Sequence, residues 1–176
     1  MNYCRKEVYI FDIDGCIMPN IFNEINFFLY FLKKANKLNK RATQIQIYPS
    51  FVKYYKKHCK KAELVVFLTG RKFSEFGEIT RKQLKKLENF KNFNLIFYPE
   101  SKKHQLKEYL KWKTQNILDI INNKISIQNM NSERKMEYDF RIFDDISGYF
   151  RDLKKITKEL PIKLSFSQIY GETCWS

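Results

Sequence analysis

The sequence predicts an α/β fold, a doubly wound (Rossmann-like) parallel sheet with helices on both faces. Short, predominantly apolar runs alternate with longer segments in which apolar residues recur at helical spacing. Strands of this kind are buried on both faces, as in parallel sheets covered by helices. Reactive side chains follow several of the runs, at the carboxyl ends of the predicted strands, and sheets of this class bind their ligands at those ends.

Four apolar runs are predicted strands, and a fifth run is a candidate strand. The four are 8–11, 64–68, 95–98 and 140–143, and the candidate is 162–166. Helical spacing predicts helices over 21–37, 49–61, 74–87, 114–122 and 147–158. Ser50 and Ser74 stand at the starts of two of these helices, where a serine hydroxyl can cap free backbone N–H groups.

The length of 176 residues predicts one domain, 1–176, with a small helical basic insert at about 20–48. Hydrophobic residues make up 44% of the chain, which excludes a disordered protein. The longest apolar run, 27–32, is far shorter than the ~20 residues that span a bilayer. The chain opens without a signal peptide, and its four cysteines lack zinc-site spacing. These features predict a cytoplasmic protein and leave its oligomeric state open.

The net charge of +14 favours polyanionic partners such as single-stranded RNA or DNA. The stretch 25–62 holds no acidic residue and ten basic ones, interleaved with aromatics. Stacking rings among cations is how single strands are held. Two plainer interpretations stay open, a solvated basic face and aromatics that form the core side of two helices. The candidate nucleic-acid contacts are Lys53, Tyr54, Lys56, Lys57 and Arg71.

Two aspartates, Asp12 and Asp14, end the first predicted strand. Strand alternation places them on the same side, where two carboxylates repel each other unless a cation lies between them. A hard divalent cation with oxygen ligands, Mg²⁺, suits the pair. Gly15 then lets the chain turn sharply. The alternative interpretation is a strand end followed by an ordinary Asp-Gly turn.

Two further strand ends carry polar groups. Thr69 and Gly70 follow the second strand, where a hydroxyl and backbone N–H groups can hold a phosphate oxygen. Asp144 and Asp145 follow the fourth strand. Adjacent like charges at one strand end cost stability, and a metal ion would relieve that cost.

Taken together, these groups resemble the motifs of the haloacid dehalogenase (HAD) superfamily of phosphohydrolases, in the right order along nearly the whole chain. Residues 11–15 (FDIDG) are similar to motif one, 67–71 (FLTGR) to motif two, and 143–145 (FDD) to motif four. Motif three is a lone basic residue, for which Lys113 is our choice. Lys103, Lys107 and Lys111 compete with it. About fifty residues separate the first two motifs, which leaves room for a small cap or none.

The resemblance implies a mechanism in which Asp12 attacks phosphorus and forms an aspartyl-phosphate. Asp14 would act as general acid and then as general base. The metal ligands would be Asp12, Asp14 through its backbone carbonyl, and Asp144, with Asp145 in support. Thr69, Gly70 and Lys113 would bind the phosphoryl oxygens.

An open site with a small cap and a basic stretch favours a large phosphorylated substrate, and we expect phosphorylated nucleic-acid ends. The Thr-Gly-Arg form of motif two is similar to that of HAD domains in RNA repair and polynucleotide end-processing. Three alternatives stay open, a phosphatase for small metabolites or nucleotides, a phosphoprotein phosphatase, and a non-catalytic nucleic-acid-binding protein with this fold.

Overall fold

The structure, a computed structural model, describes residues 4–21, 42–87, 93–103, 105–130 and 136–175. Its strands are β1 (Cys4–Asp12), β2 (Leu64–Lys72), β3 (Phe93–Tyr98), β4 (Met136–Asp144) and β5 (Lys163–Gln168). The helices we number here are α1 (Pro49–His58), α2 (Phe73–Leu84), α3 (Leu106–Met130) and α4 (Phe150–Ile156). Short 3-10 turns follow at Lys85–Leu87 and Glu172–Trp175.

All five strands pair in parallel in one sheet, in the order β3-β2-β1-β4-β5. The chain winds outward from β1 to β3, then crosses back to β4 beside β1. The winding direction therefore reverses between β1 and β4, and such switch points open a crevice at the carboxyl ends of the strands. This arrangement confirms the predicted Rossmann-like α/β fold and places the ends of β1 and β4 side by side.

Period-two alternation divides the buried side chains between two cores. Along β1, Tyr9 and Phe11 join a core with α1 and the end of α2, while Val8 and Ile10 join a core with α3 and α4. Both faces of the sheet are therefore covered, which explains why consecutive residues are apolar over 8–11 in β1 and over 64–68 in β2.

Several elements differ from their predicted bounds. Strand β2 continues past 68 through Thr69 to Lys72, with a register shift against β3 in that part. Helix α3 begins at Leu106 rather than at 114. Helix α1 begins at Pro49, whose fixed φ suits a first helical turn, and the hydroxyl of Ser50 instead donates to the carbonyl of Glu172.

Two sequence-based expectations concern segments that the structure covers only in part. The predicted helix over 21–37 and most of the basic insert at 20–48 lie outside the described residues. Among the residues that are described, no helix combines the length and the apolar character needed to cross a bilayer.

The segment 169–175 packs against the loop that follows β1. The indole N–H of Trp175 donates to the carbonyl of Cys16 at 2.9 Å, and the backbone N–H of Gly171 donates to the carbonyl of Gly15 at 3.3 Å. The Trp175 ring contacts Phe51 and Phe11, with centroid separations of 4.8 and 5.9 Å. This segment therefore fixes the turn that carries the first acidic motif.

We expect Trp175→Ala to lower the free energy of unfolding by about 3–5 kcal/mol, because it removes a buried aromatic ring and leaves a cavity. Tyr170→Ala is the control, since Tyr170 belongs to the same segment but is 67% exposed and should change stability by less than ~0.5 kcal/mol. Urea unfolding followed by circular dichroism measures both changes. Equal stability of the two variants would show that Trp175 does not anchor the loop.

Candidate active site

The centre of the site is a buried cluster in which one lysine lies between two aspartates. The ammonium Nζ of Lys113 is 2.9 Å from Oδ1 of Asp12 and 2.5 Å from Oδ2 of Asp144. All three side chains are at least 96% buried. Breaking up a buried ion pair by removing one partner is strongly destabilising, so the three groups hold one another in place.

Strand periodicity brings the two aspartates to the same face of the sheet. Asp12 continues the alternation of Val8 and Ile10, and Asp144 continues that of Phe140 and Ile142. Those apolar residues face α3 and α4, so both carboxylates point to the side from which Lys113 arrives.

Helix α3 delivers Lys113 because that residue belongs to its buried stripe. Ile117 and Ile121 follow at intervals of four residues and pack on the sheet. One turn before Lys113 lies Tyr109, on the same stripe. Of the four lysines considered from the sequence, Lys103, Lys107 and Lys111 are exposed and Lys113 is buried.

Asp12, Asp144 and Asp145 form a cluster that could hold a metal ion. Each offers one carboxylate oxygen, and the three atoms lie within 4.8 Å of one another. Gly15 permits this approach, because it has φ 82° and a Cβ atom there would lie 2.5 Å from Oδ2 of Asp145. The cluster holds three carboxylates against the one ammonium of Lys113, and all-oxygen donors of this kind suit hard divalent cations. The residues therefore fit such an ion.

Electrostatics agrees with that fit. Burial, together with the neighbouring carboxylates, raises the pKa of Asp12 well above its usual range despite the nearby ammonium. Burial and the charge of Asp144 raise the pKa of Asp145 to about 6. Lys113 keeps its proton, since the adjacent carboxylates raise its pKa more than burial lowers it. Without a cation the cluster resists holding all its negative charges.

Asp14 points away from this cluster and binds a buried arginine. Oδ2 and Oδ1 of Asp14 accept from Nε and Nη2 of Arg71 at 2.9 and 2.7 Å, a bidentate pair. The remaining amino group of Arg71 donates to Thr80 and Gln83 in α2. The Asp14 carboxylate also accepts from the backbone N–H of Ile21. Asp12 and Asp14 are thus neutralised by different cations, and the Asp14 side chain is not in the acidic cluster.

The predicted phosphate-binding groups line the site unequally. Gly70 borders a cavity of about 190 Å³ together with Asp12, Asp14, Asp145 and Tyr109, whereas Thr69 is not among the residues that line it. The Thr69 hydroxyl is fully buried and accepts from the backbone N–H of Arg71 at 3.2 Å. A Cβ atom on Gly70 would come within 3.3–3.4 Å of the Tyr109 ring, so a side chain there would crowd the cavity.

The residues predicted to contact nucleic acid do not form one surface beside the cavity. Arg71 is fully buried, which leaves its guanidinium inaccessible to a nucleic acid. Tyr54 is half-buried against Trp175, with ring centroids 5.0 Å apart. Lys56 and Lys57 are exposed in the last turn of α1, which runs from the site edge of the sheet to the opposite edge. Lys53, also exposed, lies midway along that helix.

Two tyrosines of the site were not anticipated from the sequence. The Tyr109 hydroxyl donates to Oδ1 of Asp12 at 3.3 Å, and the Tyr149 hydroxyl donates to Oδ2 of Asp144 at 2.6 Å. The spacing of four residues back from Ile117 through Lys113 marks Tyr109 as part of the same stripe. This spacing is informative only if the helix begins before residue 109, whereas the predicted helix begins at 114.

No protein family and no curated protein matches the sequence. Among solved structures, a chain of "Structure of the Pnkp1/Rnl/Hen1 RNA repair complex" aligns over 95% of this chain and 43% of its own, with TM-score 0.49 and 16% identity. A chain of "Structure of Pnkp1/Rnl/Hen1 complex" aligns over 94% and 47%, with TM-score 0.46 and 14% identity. This chain thus spans less than half of either neighbour, and the likeness carries no argument about activity.

We expect Arg71→Met to lower the free energy of unfolding by about 3–5 kcal/mol, because it leaves the Asp14 carboxylate buried without its partner. Arg71→Lys should recover only part of this loss, since an ammonium cannot make the bidentate contact. Arg151→Met, at an exposed position, is the control. Urea unfolding measures all three, and an Arg71→Met variant within 1 kcal/mol of wild type would contradict the role given to this pair.

We expect Mg²⁺ to raise the melting temperature more at pH 7.5 than at pH 5.5. The raised pKa of Asp145 means that its share of metal-free stability is present below about pH 4 and is lost as the pH rises through about 6. A divalent ion restores it and releases protons on binding. Asp144→Asn should abolish the rise in melting temperature caused by Mg²⁺. Asp145→Asn should remove the change in that rise that occurs near pH 6. Asp152→Asn, at an exposed position, should retain both. A shift independent of pH would contradict this account.

Proposed function

We propose that this protein is a Mg²⁺-dependent phosphohydrolase that acts through an aspartyl-phosphate on Asp12, as the HAD-like motifs imply. The observation that carries the proposal is the pairing of Lys113 with Asp12 and Asp144 next to Asp145. It supplies a carboxylate nucleophile, a fixed positive charge and an acidic metal cluster at one edge of a cavity. A protein that only binds nucleic acid has no need of this combination.

In the proposed reaction, a carboxylate oxygen of Asp12 forms a bond to phosphorus while the bond to the leaving oxygen breaks. Lys113, which stays protonated, offsets charge on the phosphoryl oxygens, and the backbone N–H of Gly70 binds one of them. Asp14, after exchanging a contact with Arg71 and taking up a proton, donates that proton to the leaving oxygen. It then accepts a proton from a water molecule, whose oxygen bonds to phosphorus as the bond between phosphorus and Asp12 breaks. Asp12, Asp144 and Asp145, with the backbone carbonyl of Asp14, would hold the metal ion, whose positive charge would offset the repulsion between the carboxylate and the phosphate.

The substrate we propose is the phosphorylated end of a nucleic acid or another large phosphorylated molecule. A cavity of about 190 Å³ accommodates a phosphoryl group and little more, so the rest of the substrate lies outside it. Exposed Lys102 and Lys103 follow the carboxyl end of β3, and exposed Lys107 opens α3. These three lysines lie at the site edge of the sheet, unlike those at the end of α1.

We expect the wild-type protein to hydrolyse an aryl phosphate in Mg²⁺, and Asp12→Asn to lower kcat at least ~10³-fold because the nucleophile is lost. Asp119→Asn, an exposed aspartate of α3, is the matched control and should retain activity. Trapping a phosphoenzyme that is labile to hydroxylamine in wild type, but absent in Asp12→Asn, identifies the intermediate. If the two proteins are equally inert, the enzyme proposal fails.

The same assay distinguishes the substrate classes when its substrates are 5′- and 3′-phosphorylated oligonucleotides, free nucleotides and phosphopeptides. The nucleic-acid proposal requires the highest kcat/KM on an oligonucleotide and an affinity that falls with salt, by ~0.7 log units per phosphate contact for each tenfold increase. Preference for free nucleotides or phosphopeptides, or binding that ignores ionic strength, would exclude it while leaving the phosphatase intact.

A further inference from the structure

Lys113 and the two tyrosines contact the same inner oxygens of the two paired aspartates. Oδ1 of Asp12 pairs with the ammonium of Lys113 and accepts a hydrogen bond from Tyr109. Oδ2 of Asp144 pairs with the same ammonium and accepts a hydrogen bond from Tyr149. Among the described residues, neither a hydrogen bond nor an ion pair involves Oδ2 of Asp12. The two oxygens of the Asp12 carboxylate therefore differ: Oδ1 is restrained by these contacts, and Oδ2 is available to react.

The two tyrosines differ in what they reach. Tyr149 is 3% exposed and lies behind Asp144, away from the cavity. Tyr109 borders the cavity together with Asp12 and Gly70. A phosphoryl group that enters the cavity would meet Tyr109, whereas Tyr149 reaches the reacting region only through Asp144.

The Tyr109 ring is held in place by its neighbours. It stacks on Trp112 with centroids 5.8 Å apart and an interplanar angle of 19°, and it makes a T-shaped contact with Tyr98, with centroids 5.7 Å apart and an angle of 69°. The ammonium of Lys113 lies 4.8 Å from the ring centroid, within cation–π range. A ring restrained on several sides directs its hydroxyl at a fixed point, which is what a positioning group needs.

We propose that Tyr109 is a positioning residue of the nucleophile: with Lys113 it restrains Oδ1 of Asp12, so that Oδ2 is the atom that attacks phosphorus. The inference rests on the proposed phosphohydrolase function and adds a residue to it. A lone pair of Oδ2 forms the new P–O bond, and the bond to the leaving oxygen breaks with its electron pair. Two donors on one oxygen restrain the rotation of the carboxylate, which keeps the attacking atom aligned.

The test compares three tyrosine-to-phenylalanine variants, each of which removes one hydroxyl and keeps the ring. Tyr109→Phe should lower kcat about ten- to a hundredfold, the effect of losing a hydrogen bond to a charged group, with KM and the Mg²⁺ midpoint unchanged. Tyr149→Phe should weaken Mg²⁺ binding instead. Tyr98→Phe is the control, because it removes a hydroxyl that donates to the carbonyl of Lys103 at 3.1 Å. Steady-state kinetics and Mg²⁺ calorimetry measure these changes.

A second measurement follows the nucleophile directly. Beryllofluoride adds to an aspartate as a phosphoryl mimic, and ¹⁹F NMR detects the adduct without turnover. We expect adduct formation on wild type and Tyr98→Phe, and weaker formation on Tyr109→Phe.

An active wild type with Tyr109→Phe no slower than Tyr98→Phe would overturn this inference alone. So would a Tyr109→Phe defect that lies in KM or in Mg²⁺ binding. A wild type that neither turns over an aryl phosphate nor binds beryllofluoride would overturn the proposed function, and this inference with it.

Discussion

Lys113 sets the constraint on which the site depends, one ammonium shared by two buried carboxylates. Burying charges is costly unless they are paired with good geometry, and here Asp12 and Asp144 each keep one oxygen on the lysine. Asp145 adds negative charge that the lysine does not balance. Burial, with the charges of Asp12 and Asp144, also raises the pKa of the Cys16 thiol beneath the site, which makes that cysteine a poor nucleophile.

The sheet separates two cations that serve two acids. Lys113 approaches Asp12 from the α3 side, and Arg71 approaches Asp14 from the α2 side. For Asp14 to act as a general acid, its carboxylate must exchange a contact with Arg71 for one with the leaving oxygen. Gln83 connects Arg71 to the carbonyls of Ala42 and Ile45 at 3.0 and 2.9 Å. The setting of the proposed general acid is therefore coupled to the chain between β1 and α1.

How much of the site the sequence predicts depends on the range of each interaction. The placement of Asp12 and Asp144 at neighbouring strand ends follows from local patterns, because period-two alternation and a parallel order are enough. The burial of Arg71 does not follow from local sequence, because a basic residue after Thr-Gly is typical of a protein surface. Its partner, Asp14, lies fifty-seven positions away in the sequence. The packing of Trp175 is even less predictable from sequence, because the side chains that it contacts come from β1, α1 and β4.

The distribution of basic charge illustrates the same limit. In sequence, the acid-free stretch 25–62 looks like one cationic surface. In the fold, α1 runs antiparallel to the strands, so its aromatic side becomes core and its last lysines lie at the edge opposite the cavity. At physiological salt, screening limits the electrostatic influence of an exposed charge to a distance of about 8 Å. The position of the lysines therefore matters more than their number. Of the net charge of +14, the lysines that flank the carboxyl ends of the strands are therefore the ones that would attract the proposed anionic substrate.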